Sequence, residues 1–308
     1  PSLVGSEMCI RDRNFDALPA HIHYAIGVDG GGTSTRARVL HRSGVLVGEG
    51  RAGASGLMQG IPQAWRHVTQ AIANAVEGRL RADWPAPSTA NTALGLGLAG
   101  ANNAGWSAEC LAANPGYTKL VLESDALVAL LGAHQGAAGA LVIMGTGAIG
   151  LALQADGLRT TSGGWGFPCG DEGSGADLGL QAVNLTQRAV DGRHAHTPLT
   201  RDVYETLGGT PEALLAWCGA ARQFEYATLA PKVFAHAERD VSADQMLARA
   251  AQSLESLAAA LDPTRTLPLA VAGSIAQRLL PRLSPATVRR VVPAQGDAMD
   301  GALALCFR

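Results

Sequence analysis

The stretch Tyr24-Ala-Ile-Gly-Val-Asp-Gly-Gly-Gly-Thr-Ser-Thr-Arg-Ala-Arg-Val-Leu40 decides how the chain is read. Tyr24 to Asp29 is a short apolar run and reads as a buried strand. Arg36 to Leu40 alternates polar and apolar residues, the period of a second strand and not of a helix. The glycines between them therefore sit at a hairpin tip. Two familiar phosphate loops are excluded. A P-loop needs GxxxxGK[ST], and the nearest lysine is Lys119. A dinucleotide-binding turn needs a helix after its glycines. What remains is a tip where backbone N–H groups of Gly30, Gly31 and Gly32 can approach phosphate oxygens, with the hydroxyls of Thr33, Ser34 and Thr35 as further donors. An ordinary hairpin turn would also use glycine. Asp29 sharpens the functional reading. A carboxylate ending an apolar strand needs a hydrogen bond or a cation. A Mg²⁺ carried by ATP, reached through water, is the expected partner.

Working outward, Val45 to Val47 opens a third strand. A helix is expected from Pro62 to Leu80, with Trp65, Val68, Ile72 and Val76 on one face. Strands at 92–98 and 119–122 alternate with helices at 104–113 and 126–135. The order βββαβαβα then recurs. A strand at 140–144, a tight turn at Gly145-Thr146-Gly147, a strand at 149–154 and a short third strand are followed by a mostly helical stretch. A strand at 267–272, a helix at 275–280, a strand at 288–292 and a helix at 298–305 complete the second half. An internal duplication of this kind makes the chain α/β with two related domains. The expected boundaries are 21–133, with a C-terminal helix at 297–308 packing back on it, and 134–296, with a helical insertion at about 176–265.

Bulk properties narrow the function. The 308 residues carry a formal charge of -2 with scattered basic residues, so no nucleic-acid footprint is present. No apolar run approaches the roughly 18 residues of a membrane span, and residues 1–20 lack a signal-type apolar core. Five widely spaced cysteines without CxxC favour reduced thiols and a cytoplasmic location. Residues 1–20 read as a tail. The string PSLVGSEMCIRDR at 1–13 resembles translated sequencing adaptor more than native protein, a disordered terminus being the alternative.

Further motifs come with plain alternatives. Gly145-Thr146-Gly147 holds in the second half the place of the first tip, so two tips could clamp a polyphosphate. Each alone is only a turn. Asp125 ends a strand and begins a helix. It is a natural N-cap, and equally a general base aimed at a sugar hydroxyl. The glycine-dense string Gly163-Gly164-Trp165-Gly166 to Gly175 holds Asp171 and Glu172. Carboxylates beside an aromatic ring suit a sugar, while the plain reading is a solvated loop with a buried tryptophan. Gly273-Ser274, at a strand–helix junction, lets backbone approach a flat ligand such as adenine. His194 and His196 are too few for a metal site and read as surface loop.

Taken together, the strings GVDGGGTSTRAR (27–38), LGLAGA (96–101), SDALVALLGAH (124–134), GTGAIG (145–150), GGWGFPCGDEGSGADLGL (163–180), AGSIAQRL (272–279) and GDAMDGAL (296–303) resemble the BadF/BadG/BcrA/BcrD ATPase family, within the actin, Hsp70 and sugar-kinase superfamily. The resemblance runs from Tyr24 to the C-terminus. It implies a duplicated ribonuclease H-like, actin-like two-domain fold with an interdomain cleft. It implies ATP and Mg²⁺ as cofactors, an amino sugar as substrate, and a homodimer. By this resemblance the 30–35 loop and Thr146 bind phosphates, Gly273 and Ser274 bind adenosine, and Asp125 is the catalytic base. Asp125, Gly147, Gly163 to Gly166 and Asp171 line the sugar site. The implied reaction is phosphorylation of the 6-hydroxyl of glucosamine, with N-acetylglucosamine as alternative. Gly56 stands where some relatives carry a sugar-contacting Asn.

Three other readings are weighed. An ATPase that activates a radical dehydratase or reductase needs a cysteine pair for an iron–sulfur cluster, and no suitable pair is seen. A sugar-sensing repressor needs a helix-turn-helix before the first strand. A chaperone-like ATPase needs a separate peptide-binding domain.

Overall fold

The computed structural model describes residues 15–308, so the expectation for residues 1–13 lies outside the described residues. The chain divides into two units, one running to Ala138 and including Pro293–Arg308, the other Gly139–Val292.

The first unit is built on a five-stranded sheet in the order β3-β2-β1-β4-β5. Its strands are β1 (Tyr24–Gly30), β2 (Thr35–His41), β3 (Leu46–Ala52), β4 (Thr92–Leu98) and β5 (Lys119–Glu123). β1, β2 and β3 form an antiparallel meander, while β4 and β5 run parallel to β1. The strand period of two sorts β1 between two cores. Tyr24, Ile26 and Val28 join Trp65, Val68 and Ile72 of helix α1 (Ile61–Val76). Ala25 faces the other way, with Leu303 and Cys306 of the C-terminal segment. On that second face helix α12 (Ala298–Leu305) lies against α3 (Asp125–Ala133) at glycine contacts so close that a Cβ on Gly301 would stand 1.8 Å from the Val128 carbonyl oxygen. Asp29 has the parity of Ala25, so it belongs to the face that carries α3.

Residues 15–20 correct the reading of 1–20 as a tail. Phe15 to Ala17 form a 3-10 turn, and Phe15 and Leu18 are buried against Leu303 and Cys306. The Phe15 ring meets Phe307 edge-on at 5.1 Å. Two apolar residues are too few to show periodicity, but enough to anchor a turn.

The second unit repeats the pattern. β6 (Gly139–Met144), β7 (Ala148–Leu153), β8 (Arg159–Gly163) and β9 (Leu269–Ala272) form a sheet in the order β8-β7-β6-β9, with β9 parallel to β6. The strand expected at 288–292 is not formed. Ser284 caps a helical turn at Pro285–Val288, and what remains is one parallel bridge from Val291 to Leu269. Proline at the first helical position favours that turn. Between β8 and β9 come α4 (Gly175–Val190), α5 (Pro198–Thr206), α6 (Pro211–Ala220), α7 (Gln223–Ala227), α8 (Ala230–His236) and the long α9 (Val241–Leu261). Leu247, Ala250, Leu254, Ala258 and Leu261 of α9 are buried at helical spacing. Among the described residues, no helix is long and apolar enough to cross a membrane.

Candidate functional site

In the first unit, parallel strands bring three loops to one sheet edge, because β1, β4 and β5 end on the same side. The first is the tip between β1 and β2. Gly32, Thr33 and Ser34 are exposed there. The tip is held from behind. Gly31 O accepts from Ser55 N and Gly56 N, Gly30 O accepts from Ala99 N, and Gln59 Nε2 donates to Gly32 O at 2.9 Å. Thr35 is not presented as expected. It is fully buried, donates through Oγ1 to Gly53 O at 2.5 Å, and lies 2.7 Å from Ser55 Oγ. Its hydroxyl shapes the loop.

The glycines of the tip have different causes. A Cβ on Gly30 would stand 2.0 Å from Ser55 Oγ, so packing alone requires glycine. Gly31 and Gly32 have neither a crowding neighbour nor a positive φ. Neither steric crowding nor backbone conformation among the described residues requires glycine at these two positions.

Asp29 meets a cation within the protein. Arg36 faces it across the β1–β2 register and pairs with Oδ2 at 2.5 Å. The strand-end carboxylate therefore needs no metal for its own satisfaction. Both Arg36 contacts fall on Oδ2, which leaves Oδ1 outside the pair.

Asp125 opens α3, but the cap is Ser124, whose side chain accepts from Leu127 N. Asp125 Oδ1 accepts from Ala126 N at 2.9 Å. Burial raises its pKa above the ordinary aspartate value; the nearby Asp29 charge adds to this, and the Ala126 N–H opposes it. A half-buried carboxylate poised in this way has the character of a general base.

In the second unit, the tip between β6 and β7 exposes Thr146. Gly145, like Gly31 and Gly32, has open space and no positive φ. The N-terminal turn of α4 is fastened to this tip, Gly175 N donating to Gly145 O at 2.8 Å and Ala176 N to Thr146 O at 3.2 Å. Gly273 lies against it, with a φ of +92° and a would-be Cβ 2.2 Å from Met144 O. No other residue fits there, and the exposed Ser274 that follows starts a short helix. The Thr146 and Gly273-Ser274 elements thus lie side by side.

The 163–175 loop separates its two acids. Asp171 adopts a φ of 64°, which aspartate tolerates better than most residues. It is 4% exposed and accepts from Ala148 N at 3.0 Å and Gln223 Nε2 at 2.7 Å. Burial raises its pKa. It sits behind Gly147, whose Cβ would meet its Oδ2 at 2.9 Å. Asp171, which the resemblance puts at the sugar, has its oxygens engaged in bracing the second tip. Glu172 stays exposed. The tryptophan is not buried either, since Trp165 is 88% exposed. Gly163, Trp165 and Glu172 line one open hollow with Ser253, Ser256 and Leu257 of α9. Gly164 N donates to Ala148 O at 3.0 Å, and Gly166 O accepts from Gly170 N at 2.7 Å. Ser55, Gln59 and Gln223 act through partners distant along the chain, and Arg36 through a cross-strand register with Asp29, neither of which the sequence displays.

Among the described residues, no group of three or more His, Cys, Asp or Glu could hold a metal. Cys110 is a buried thiol and Cys169 an exposed one, while the buried Cys306 thiol donates to the carbonyls of Ile26 and Ala93.

Two sheets of matching strand order, each ending its central hairpin in a glycine tip, define the duplicated ribonuclease H-like architecture of actin-like ATPases. The chain belongs to the BadF/BadG/BcrA/BcrD ATPase family, whose model matches residues 26–281. It is similar to glucosamine kinase GspK of Vibrio cholerae serotype O1, with 37% identity over 286 residues, covering 92% of this chain and 95% of that protein. Among solved structures it is similar to a candidate N-acetylglucosamine kinase from Chromobacterium violaceum, with 44% identity and a TM-score of 0.87, covering 93% of this chain and 99% of that one. The fold is shared with a ROK family glucokinase from Streptomyces griseus at 17% identity and a TM-score of 0.53, covering 92% and 98% of the two chains.

Proposed function

We propose that this protein is an ATP-dependent glucosamine kinase that phosphorylates the 6-hydroxyl, with N-acetylglucosamine as the alternative acceptor. One observation carries the reading most: at both tips Gly31, Gly32 and Gly145 have neither a crowding neighbour nor a positive φ, and a backbone left open in this way suits phosphates approaching N–H groups. The family supplies ATP use, and similarity to GspK across most of the chain favours glucosamine. An ATPase activator of a radical enzyme is the third reading.

In the proposed reaction, Asp125 accepts the proton of the sugar hydroxyl as its oxygen bonds to the γ-phosphorus, and the bond to the β-phosphate oxygen breaks to release ADP. Gly31, Gly32 and Ser34 of one tip and Thr146 of the other orient the phosphates, and Gly273-Ser274 meets the adenosine. Trp165 and Glu172 offer an aromatic face and a carboxylate to the sugar. Mg²⁺ would arrive on the nucleotide, with Asp29 Oδ1 as the atom a metal-bound water would meet. When bound, it neutralises phosphate charge. The chain's own contribution is positioning and proton acceptance.

ADP release by the full chain, assayed with glucosamine, N-acetylglucosamine, glucose and no sugar, tests this. Release with glucosamine above all others is expected. Release chiefly with N-acetylglucosamine keeps the mechanism and moves the substrate. Sugar-independent release overturns the kinase reading. The phosphate role has its own test. Gly32→Val should raise KM for ATP at least about tenfold, a loss of about 1.4 kcal/mol, with little change in Tm because, chain neighbours aside, no atom of the described residues lies within 4 Å of the new Cβ. An unchanged KM would remove Gly32 from the phosphate site.

A further inference from the structure

A hollow of about 300 Å³ lies within the helical insertion of the second unit, between α4 and α9. Arg188, Arg249 and His194 line it with the amides of Gln181, Asn184 and Gln245, and no carboxylate is among its lining residues. Neighbouring acids are engaged elsewhere, Asp191 with Arg193 and Asp244 with Arg282. Arg249 is fixed at the wall by a neutral partner, donating from Nη2 to Gln181 Oε1 at 2.8 Å. Its charge is thus positioned but not compensated. The guanidinium forks of Arg36, Arg38, Arg193, Arg282 and Arg290, by contrast, meet carboxylates. Two guanidinium forks with amide donors around a small hollow suit a compact dianion.

We propose that this hollow is a second binding site, for a phosphate monoester of small-sugar size, and that its occupancy is felt at the glycine-dense loop. The link is a continuous chain of hydrogen bonds. Gln181, which holds Arg249, donates from Nε2 to Asp177 Oδ2 at 2.9 Å. The same Asp177 oxygen accepts from Gly173 N at 2.8 Å, next to Glu172. A dianion that draws Arg249 away from Gln181 frees that amide and changes the support of the loop. The two helices extend the connection, since α4 begins at the Thr146 tip and α9 runs on to Ser253, Ser256 and Leu257 beneath Trp165.

Binding is tested on the full chain by following the guanidinium Nε–H NMR signals of Arg188 and Arg249 during titration with inorganic phosphate and with glucosamine 6-phosphate, at constant ionic strength. Both signals should shift. A stronger response to the sugar phosphate assigns the source to a phosphorylated sugar, and an equal response to free phosphate; either supports the site. In R188Q/R249Q, thermal stabilisation by these ligands should weaken at least about tenfold in apparent affinity. Asn184→Asp/Gln245→Glu, at two exposed positions, provides the same test without removing an arginine. Static arginine signals, or equal stabilisation of wild type and variants, would overturn the site. The coupling rests on the kinase reading: a saturating anion should change KM for the amino sugar in wild type and not in the variants. Binding without any such change would overturn the coupling and leave the kinase reading untouched.

Discussion

Asp125→Asn should lower kcat by about 10²–10⁴-fold, the usual worth of general-base catalysis, and leave a folded protein whose Tm equals or exceeds that of wild type. The isosteric amide keeps an oxygen to accept from Ala126 N, and the helix cap is Ser124, not Asp125. The stability sign follows from linkage. Burial first, and then the Asp29 charge, raise the pKa of Asp125 in the folded protein. Between its unfolded and folded values the native state binds more protons, so stability falls as pH rises through that window. Above it, the charged carboxylate costs folding free energy, and the amide does not. The pH profile gives a second reading. A base must be deprotonated, so the acidic limb of kcat/KM should lie above the ordinary aspartate range. Asp29→Asn, which removes the neighbouring like charge, should move that limb to lower pH. Unchanged kcat in Asp125→Asn, or a Tm loss matching the loss of activity, would remove Asp125 from the chemistry.

The hairpin at 24–40 was legible because its period is two and its punctuation is glycine. The same signals repeated after Gly139, so the duplication could be seen. What could not be seen depends on pairing. Arg36 reads in sequence as the polar half of an alternation, and only the register sets it opposite Asp29. Asp171 and Glu172 are adjacent acids with the same composition cue. A left-handed backbone at Asp171 turns one inward and leaves the other exposed. Thr35 and Ser34 are both hydroxyls of one tip, yet the first residue of β2 points into the protein and its neighbour does not. At 288–292 three valines outweighed the Ser284-Pro285 start signal that was also present. The interior hydrogen bonds, not the motifs, separate residues that shape the site from those that face it.

Arg38→Met should cost about 3–5 kcal/mol, the range for breaking a buried ion pair by removing one partner, and lower the Tm of the first unit by about 6–20 °C at about 2–4 °C per kcal/mol. Arg38 lies on β2 with its side chain 8% exposed, ion-paired to Asp300 at 2.7 Å, Asp297 at 3.0 Å and Glu49 at 2.7 Å. Burial works against its charge, but Asp297 and Asp300 outweigh it, so its pKa is raised. The three acids differ in exposure. Glu49 and Asp297 reach water and contribute little once released, whereas the buried Asp300, at 6%, loses the cation that faces its Oδ1 at 2.7 Å. Asp300 also closes the capping box of α12 with Asp297, so the loss acts where the C-terminal helix joins α3, the helix that begins at Asp125. Arg38→Met/Asp300→Asn should therefore recover part of the loss, since the amide restores neutrality and can still accept from Asp297 N. A drop in Tm within about a degree for Arg38→Met would mean the cluster behaves as an exposed network, and that glycine-to-backbone packing alone holds α12 in place.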